Sequence, residues 1–270
     1  MISPANANTL LQIPTGWLAC ATTLVTVIVA CSLHAIVQRV VKHEKLSPHN
    51  AVTGVVLTVI GTLYAVILGF VVVVVWQGYT TASDVVSSEA NALAKVYRLA
   101  RGVPEPARST IRRNISDYAQ TVLTKEWPRM ASTGESDRQA GAIAQGIANE
   151  VVNLEPATNA QTNLQAAMLA ALGQFLDDRR SRLTYLRPRI PGILWGVLIF
   201  GGVVLLALTF LIGLESRAVQ LVMTGALAAM IAISIVTVFD LQSPLEGANH
   251  VNPTAWEIFA GAGPAISTPP

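Results

Sequence analysis

Charge is what this chain has least of. Only 13% of its 270 residues are Asp, Glu, Lys or Arg, about half the share of an ordinary soluble domain. None of them falls in residues 1–38, 46–83, 190–214 or 218–239. A soluble core holding four such stretches would leave too little polar chain to cover it, whereas each is long enough to cross about 30 Å of hydrocarbon as a helix. A soluble globular protein is thereby excluded. With a formal net charge of +2 and no long basic tract, the chain has no electrostatic footprint for nucleic acid. The two cysteines, Cys20 and Cys31, lie about 16 Å apart along one helix, too far to bridge. No Lys or Arg precedes Arg39, so residues 1–38 lack a secretory n-region. Ile28-Val29-Ala30-Cys31 has the form of a lipoprotein cleavage box, but without basic residues before it the segment is expected to be retained.

Signatures of covalent chemistry are also scarce. His34, His43, His49 and His250 include no pair at the i, i+4 spacing of a helical metal site. No Ser or Cys stands in a nucleophile elbow, and Gly201-Gly202 inside an apolar run is a packing device. No catalytic residue, metal or cofactor is expected, and the chain does not read as an enzyme. Asp240 and Glu246 offer too few oxygens for calcium, so the Pro244–Gly247 segment reads as a helix-ending turn.

What is present is a two-plus-two pattern of spans. After an N-terminal segment 1–15, the first span covers 16–41, with Trp17 at one end and Arg39, Lys42 and Lys45 at the other, where basic side chains reach headgroups. The second covers 51–76. The joint Arg187-Pro188-Arg189-Ile190-Pro191-Gly192 opens the third, 191–214, and the short link Glu215-Ser216-Arg217 leads into the fourth, 217–240. So short a link forces the last two spans into an antiparallel hairpin. The tail 241–270 has prolines and glycines but no Lys or Arg and reads as mostly irregular.

Between the pairs, residues 77–188 hold 13 of the 18 basic and 11 of the 16 acidic residues. Their apolar positions step by fours and threes, as in Ile111, Ile115, Tyr118, Val122 and in Leu164, Met168, Leu172, Phe175, which is a helical period with no competing strand alternation. Breaks are expected at Gly102-Val103-Pro104, Trp127-Pro128, 132–136 and Glu155-Pro156. No breaker separates Val75 from Leu99, so the second span is expected to continue outward as one long helix. The fold class is therefore all-α: an integral membrane protein with four transmembrane helices and a helical soluble domain that extends the second.

Gly54, Thr58, Gly61, Ala65 and Gly69 form a small-residue stripe along the second span. Close packing against a neighbouring span is its default use. The functional reading is that this stripe, or the bulky face carrying Leu63, Ile67, Phe70 and Val74, lines an apolar conduit that gates ions by dewetting. Arg179, Arg180 and Arg182 read by default as surface charges, with Asp178 and Arg182 in favourable i, i+4 order. Brought around a common axis, they would instead attract anions. The intramembrane His34 lies close to Arg39 and is as readily interfacial as functional. Basic residues at the span ends divide almost evenly between the two faces, so charge does not fix the orientation.

Glu89-Ala90, Leu93, Tyr97-Arg98-Leu99-Ala100, Pro104-Glu105-Pro106-Ala107-Arg108, Tyr118, Glu126-Trp127-Pro128, Arg182-Leu183, Pro191 with Leu194-Trp195, and Pro244 with Gly247 make up a pattern that resembles the bacterial bestrophin-like membrane proteins. Leu245 stands where that family usually has Phe, which touches local packing only. The resemblance implies a homo-oligomeric channel of the bacterial inner membrane, pentameric and mostly anion-conducting. Its second helix would line the pore, and its termini and helical extension would lie in the cytoplasm. Membrane lipid and inorganic anions are then the partners, and nucleic acid is not. Fold kinship does not carry an activity with it. The alternative is a non-conducting scaffold or stress sensor that binds a protein through its soluble helices.

Overall fold

The computed structural model describes residues 14–41, 46–187 and 190–265. Most of the 1–15 segment, Lys42, His43, Lys45 and the Pro188-Arg189 pair lie outside them. Nine α-helices are described: α1 (Thr15–Val40), α2 (Asn50–Leu99), α3 (Ala107–Thr121), α4 (Trp127–Thr133), α5 (Arg138–Val152), α6 (Asn159–Thr184), α7 (Gly192–Phe210), α8 (Arg217–Leu241) and α9 (Thr254–Ala265). No strand occurs among the described residues. α1, the first half of α2, α7 and α8 are long and apolar enough to cross a membrane. The uninterrupted α2 runs for 50 residues, as the lack of a breaker predicts, and contributes to two compact units.

In the apolar unit, α1 packs against α8 through small and polar groups. A side chain added at Gly225 would meet Cys31 Sγ and Val27 Cγ1 at 3.5 Å, and His34 Nδ1 lies 2.7 Å from Thr224 Oγ1. His34 is fully buried, with the Phe210 ring centroid 5.0 Å from its own, so it belongs to a helix interface. α2 meets α7 where Tyr64 lies over Gly201 and Gly202. A Cβ at Gly201 would fall 2.6 Å from Tyr64 Cδ2, and one at Gly202 3.0 Å from Ile231 Cγ2. The glycine pair is thus a packing device, as expected, and the group it seats is an aromatic ring. The two short connections are stitched by Asn50, whose amide nitrogen donates to Gly213 O (2.7 Å) while its carbonyl oxygen accepts from Gly213 N (2.8 Å).

The helical unit has a conventional core, with Leu93, Ile111, Ile115, Met130, Ile147, Met168 and Phe175 fully buried. Helix starts follow local chemistry: the Asp137 carboxylate accepts from Gln139 N and Ala140 N to cap α5, and Thr158 Oγ1 accepts from Gln161 N to cap α6. Such caps satisfy N–H groups that the first turn leaves without partners. α4 ends at Gly134, whose φ of 67° is a left-handed value that favours glycine.

One expected helix break needs correction. Trp127-Pro128 does not break the chain, because a π-turn at Val122–Glu126 carries α3 into α4 with Pro128 in the first turn. The wider turn accommodates a residue that has no N–H to give. It also turns two sequence neighbours, Glu126 and Trp127, into the core. The tail, expected to be mostly irregular, carries one helix, Thr254–Ala265. Trp256 in that helix is fully buried, its ring 5.4 Å from that of Tyr118, while Trp127 Nε1 donates to Val251 O at 3.1 Å. Leu245, at the position of the usual Phe, is itself buried in this core.

Candidate functional site

Two sets of residues carry chemistry, one in each unit. The first is the apolar half of α2. Its inward side, built on Tyr64, Leu68, Val71 and Val75, packs against α7 and α8. The bulky face next to it stays open, with Leu63 61%, Ile67 38%, Phe70 69% and Val74 59% exposed, together with Val59, Val66 and Val73. No charged residue interrupts it.

The small-residue stripe divides along its length. Gly61 faces α7, where an added side chain would meet Leu205 Cδ2 at 3.7 Å. Gly61 and Ala65 border an apolar cavity of about 290 Å³ shared with Leu205, Leu227 and Ile231. At Gly54 and Gly69 an added side chain would meet nothing within 4 Å. Thr58 is exposed, its hydroxyl donating back to Gly54 O at 2.8 Å. Only the middle of the stripe therefore packs against a helix of the same unit.

The second set is a closed ring of buried polar side chains in the helical unit. Arg182 Nε and Nη2 donate to Glu89 Oε2 and Oε1 (2.5 and 3.1 Å), and Nη2 also reaches Glu126 Oε2 (3.0 Å). Arg179 forks onto Glu126 through Nη2 to Oε1 (2.8 Å) and Nη1 to Oε2 (2.9 Å). Tyr118 closes the circuit, accepting from Arg179 Nη1 at 2.7 Å and donating to Glu89 Oε1 at 2.8 Å. Burial alone would raise the Glu126 carboxyl, but hydrogen bonds from Arg179 and the charges of both arginines outweigh it and hold Glu126 below the usual carboxylate range. Burial and the Glu89 charge push the Tyr118 hydroxyl well above the ordinary tyrosine value. Both arginines stay charged, because the carboxylates more than offset the cost of removing them from water.

The surface reading of Asp178 with Arg182 is thus corrected. Asp178 accepts instead from Ser88 Oγ (2.6 Å) and Gln174 Nε2 (2.9 Å), and Arg182 turns inward. Two arginines facing two carboxylates carry no net charge to attract an anion, whereas Arg180 remains exposed. The roles of Glu89, Tyr118 and Glu126 escaped the sequence reading. Their signal was present, since Glu89 falls one helical step after Val86, and Arg179 and Arg182 continue the Met168, Leu172, Phe175 series.

A family model for the bestrophin-like domain matches residues 24–256. No curated protein and no solved structure matches the chain. The match runs from within α1 to α9 and takes in all four apolar helices, which together point to a multi-pass membrane protein. On this ground the chain belongs to the bestrophin-like family.

Proposed function

We propose that the chain is one subunit of a homo-oligomeric channel that passes inorganic anions across the bacterial inner membrane. α1, the first half of α2, α7 and α8 cross the bilayer two plus two, with boundaries near 16–41, 51–76, 191–214 and 217–240. Residues 77–188 lie in water on the cytoplasmic side. Bestrophins, the family's relatives, are known as anion channels and not as enzymes, which supports this class of activity. The observation that carries the reading is the uncharged, uncovered face of α2 at Leu63, Ile67, Phe70 and Val74. Four helices are too few to enclose a pore, but copies arranged about one axis can turn this face inward. An apolar constriction of that kind controls ions by wetting and drying. The small residues Gly54, Thr58, Gly61, Ala65 and Gly69 let neighbouring helices approach α2 on its other side. On the helical unit, the exposed Arg180 is the candidate for attracting anions, while Arg179 and Arg182 are held in the buried ring.

The test is bilayer recording of purified protein under a chloride gradient. Phe70→Ala should raise conductance by removing the largest exposed ring. Gly61→Val should lower it, by pushing α2 off Leu205. Absent current, or current indifferent to both changes in a folded protein, would refute the channel and leave a non-conducting scaffold. Particle mass in detergent gives the subunit number, with five copies of 28.6 kDa the expected result.

A further inference from the structure

In the apolar unit a cavity of about 500 Å³ lies between the end of α1 and the start of α8. Arg39, Arg217, Gln38, Gln220 and Glu215 supply its polar lining. Val41, Leu46, Ile212 and Leu214 supply apolar wall. Both guanidiniums are exposed, and neither has an ion-pair partner among the described residues. In the helical unit Arg179 and Arg182 each face a carboxylate; among the described lining residues here, two arginines meet one carboxylate, that of Glu215, which leaves the described lining net positive.

The polar floor is built. Gln220 is 4% exposed. Its carbonyl oxygen accepts from Gln38 Nε2 at 2.6 Å, and its amide nitrogen donates to Ile212 O. Each amide nitrogen carries two hydrogens, so Gln38 and Gln220 each keep one for a further acceptor. The Ile212 carbonyl, which would repel an anion, is already covered. Arg217 is the first residue of α8, so the positive end of that helix adds to the field.

We propose that this cavity binds a phosphate group, carried by an anionic phospholipid or present as free inorganic phosphate. Two guanidinium forks match tetrahedral phosphate oxygens, and an apolar wall below a cationic rim suits the glycerol and first methylenes of a lipid. The proposal rests on α1 and α8 spanning the membrane, which sets the cavity at headgroup depth. It does not depend on conduction.

Native mass spectrometry of the full chain in detergent tests it, with phosphatidylglycerol, phosphatidylcholine and inorganic phosphate titrated separately. Phosphatidylglycerol should bind and phosphatidylcholine should not. Arg39→Gln combined with Arg217→Gln should weaken phosphatidylglycerol by about tenfold or more, and Glu215→Gln should tighten it. Inorganic phosphate that binds alone and competes, with the same arginine dependence, supports the site and identifies free phosphate as its source. Equal affinity for both lipids overturns the proposal. So does unchanged affinity in the double variant while helicity and particle mass are preserved, or in Arg39→Gln alone should the double variant fail to fold. A chain recovered without detergent or membrane would remove the spanning reading and this site together, a result distinct from an embedded chain that binds no phosphate.

Discussion

The two units expose opposite things. In the apolar unit the fully or nearly buried side chains include His34, Gln220 and Thr224, while Phe70, Phe200 and Val222 are among the most exposed. In the helical unit Ile111, Phe175 and Trp256 are inside, and charge is inside only where a closed ring neutralises it. The difference is what the proposed surroundings would produce. Where lipid tails are as apolar as leucine, helices gain little by hiding leucine from them and associate through small residues and hydrogen bonds. Where water surrounds the helices, apolar area must be covered, and a buried charge survives only with its partners in place.

The comparison is broken most directly at Arg182. Arg182→Met leaves Glu89 without its main partner and Glu126 with the Arg179 fork alone, an uncompensated buried charge worth about 3–5 kcal/mol. Thermal unfolding followed by circular dichroism should show this loss in the helical unit. The same ring sets an acid limit. Because the folded Glu126 carboxyl titrates below its unfolded value, its contribution is present above the ordinary carboxylate range and disappears as pH falls through the lowered value. Denaturant midpoints measured from pH 7 downward should therefore fall at acid pH, and less steeply in Glu126→Gln, which is weaker from the start.

In the apolar unit the corresponding weak point is steric. Gly201→Ala places a methyl group against the Tyr64 ring and should cost about 1–3 kcal/mol, read as a lower temperature for loss of the detergent-solubilised particle. Tyr64→Val should recover part of it. A smaller effect is expected at Gly134→Ala, where the positive φ costs about 1 kcal/mol. The new Cβ would also meet Glu246 Oε1 at 2.6 Å. The smallest concerns Glu246 itself, whose carboxyl burial pushes upward. A raised folded value means stability present at low pH and lost as pH rises through it, so Glu246→Gln should slightly raise the neutral-pH denaturant midpoint.

How much of this was readable in advance differs between the units for the same reason. Helix type and the course of α2 to Leu99 follow from periodicity, because long apolar runs without breakers leave few alternatives. Glu126-Trp127-Pro128 misled because proline ordinarily ends a helix, and a π-turn that absorbs it depends on packing from α5, α6 and α9. Arg179 and Arg182 misled because charged residues default to the surface, and only the fold brings Glu89 and Glu126 to them from far along the chain. The tail helix escaped because Trp256 and Phe259 give a single helical step, too short to register as a period. For the open face of α2, sequence supplies the bulky residues, while their exposure depends on which side Tyr64 turns toward Gly201.

The ring of Glu89, Tyr118, Glu126, Arg179 and Arg182 also imposes an order on biosynthesis. Its acids are made first and both of its bases last, 13 and 10 residues before the start of α7. A nascent chain therefore carries two carboxylates with nothing to neutralise them until α6 has left the ribosome. The ring can close only once Arg179 and Arg182 have been made, so a pause in translation just ahead of Arg179 would hold its carboxylates without their partners.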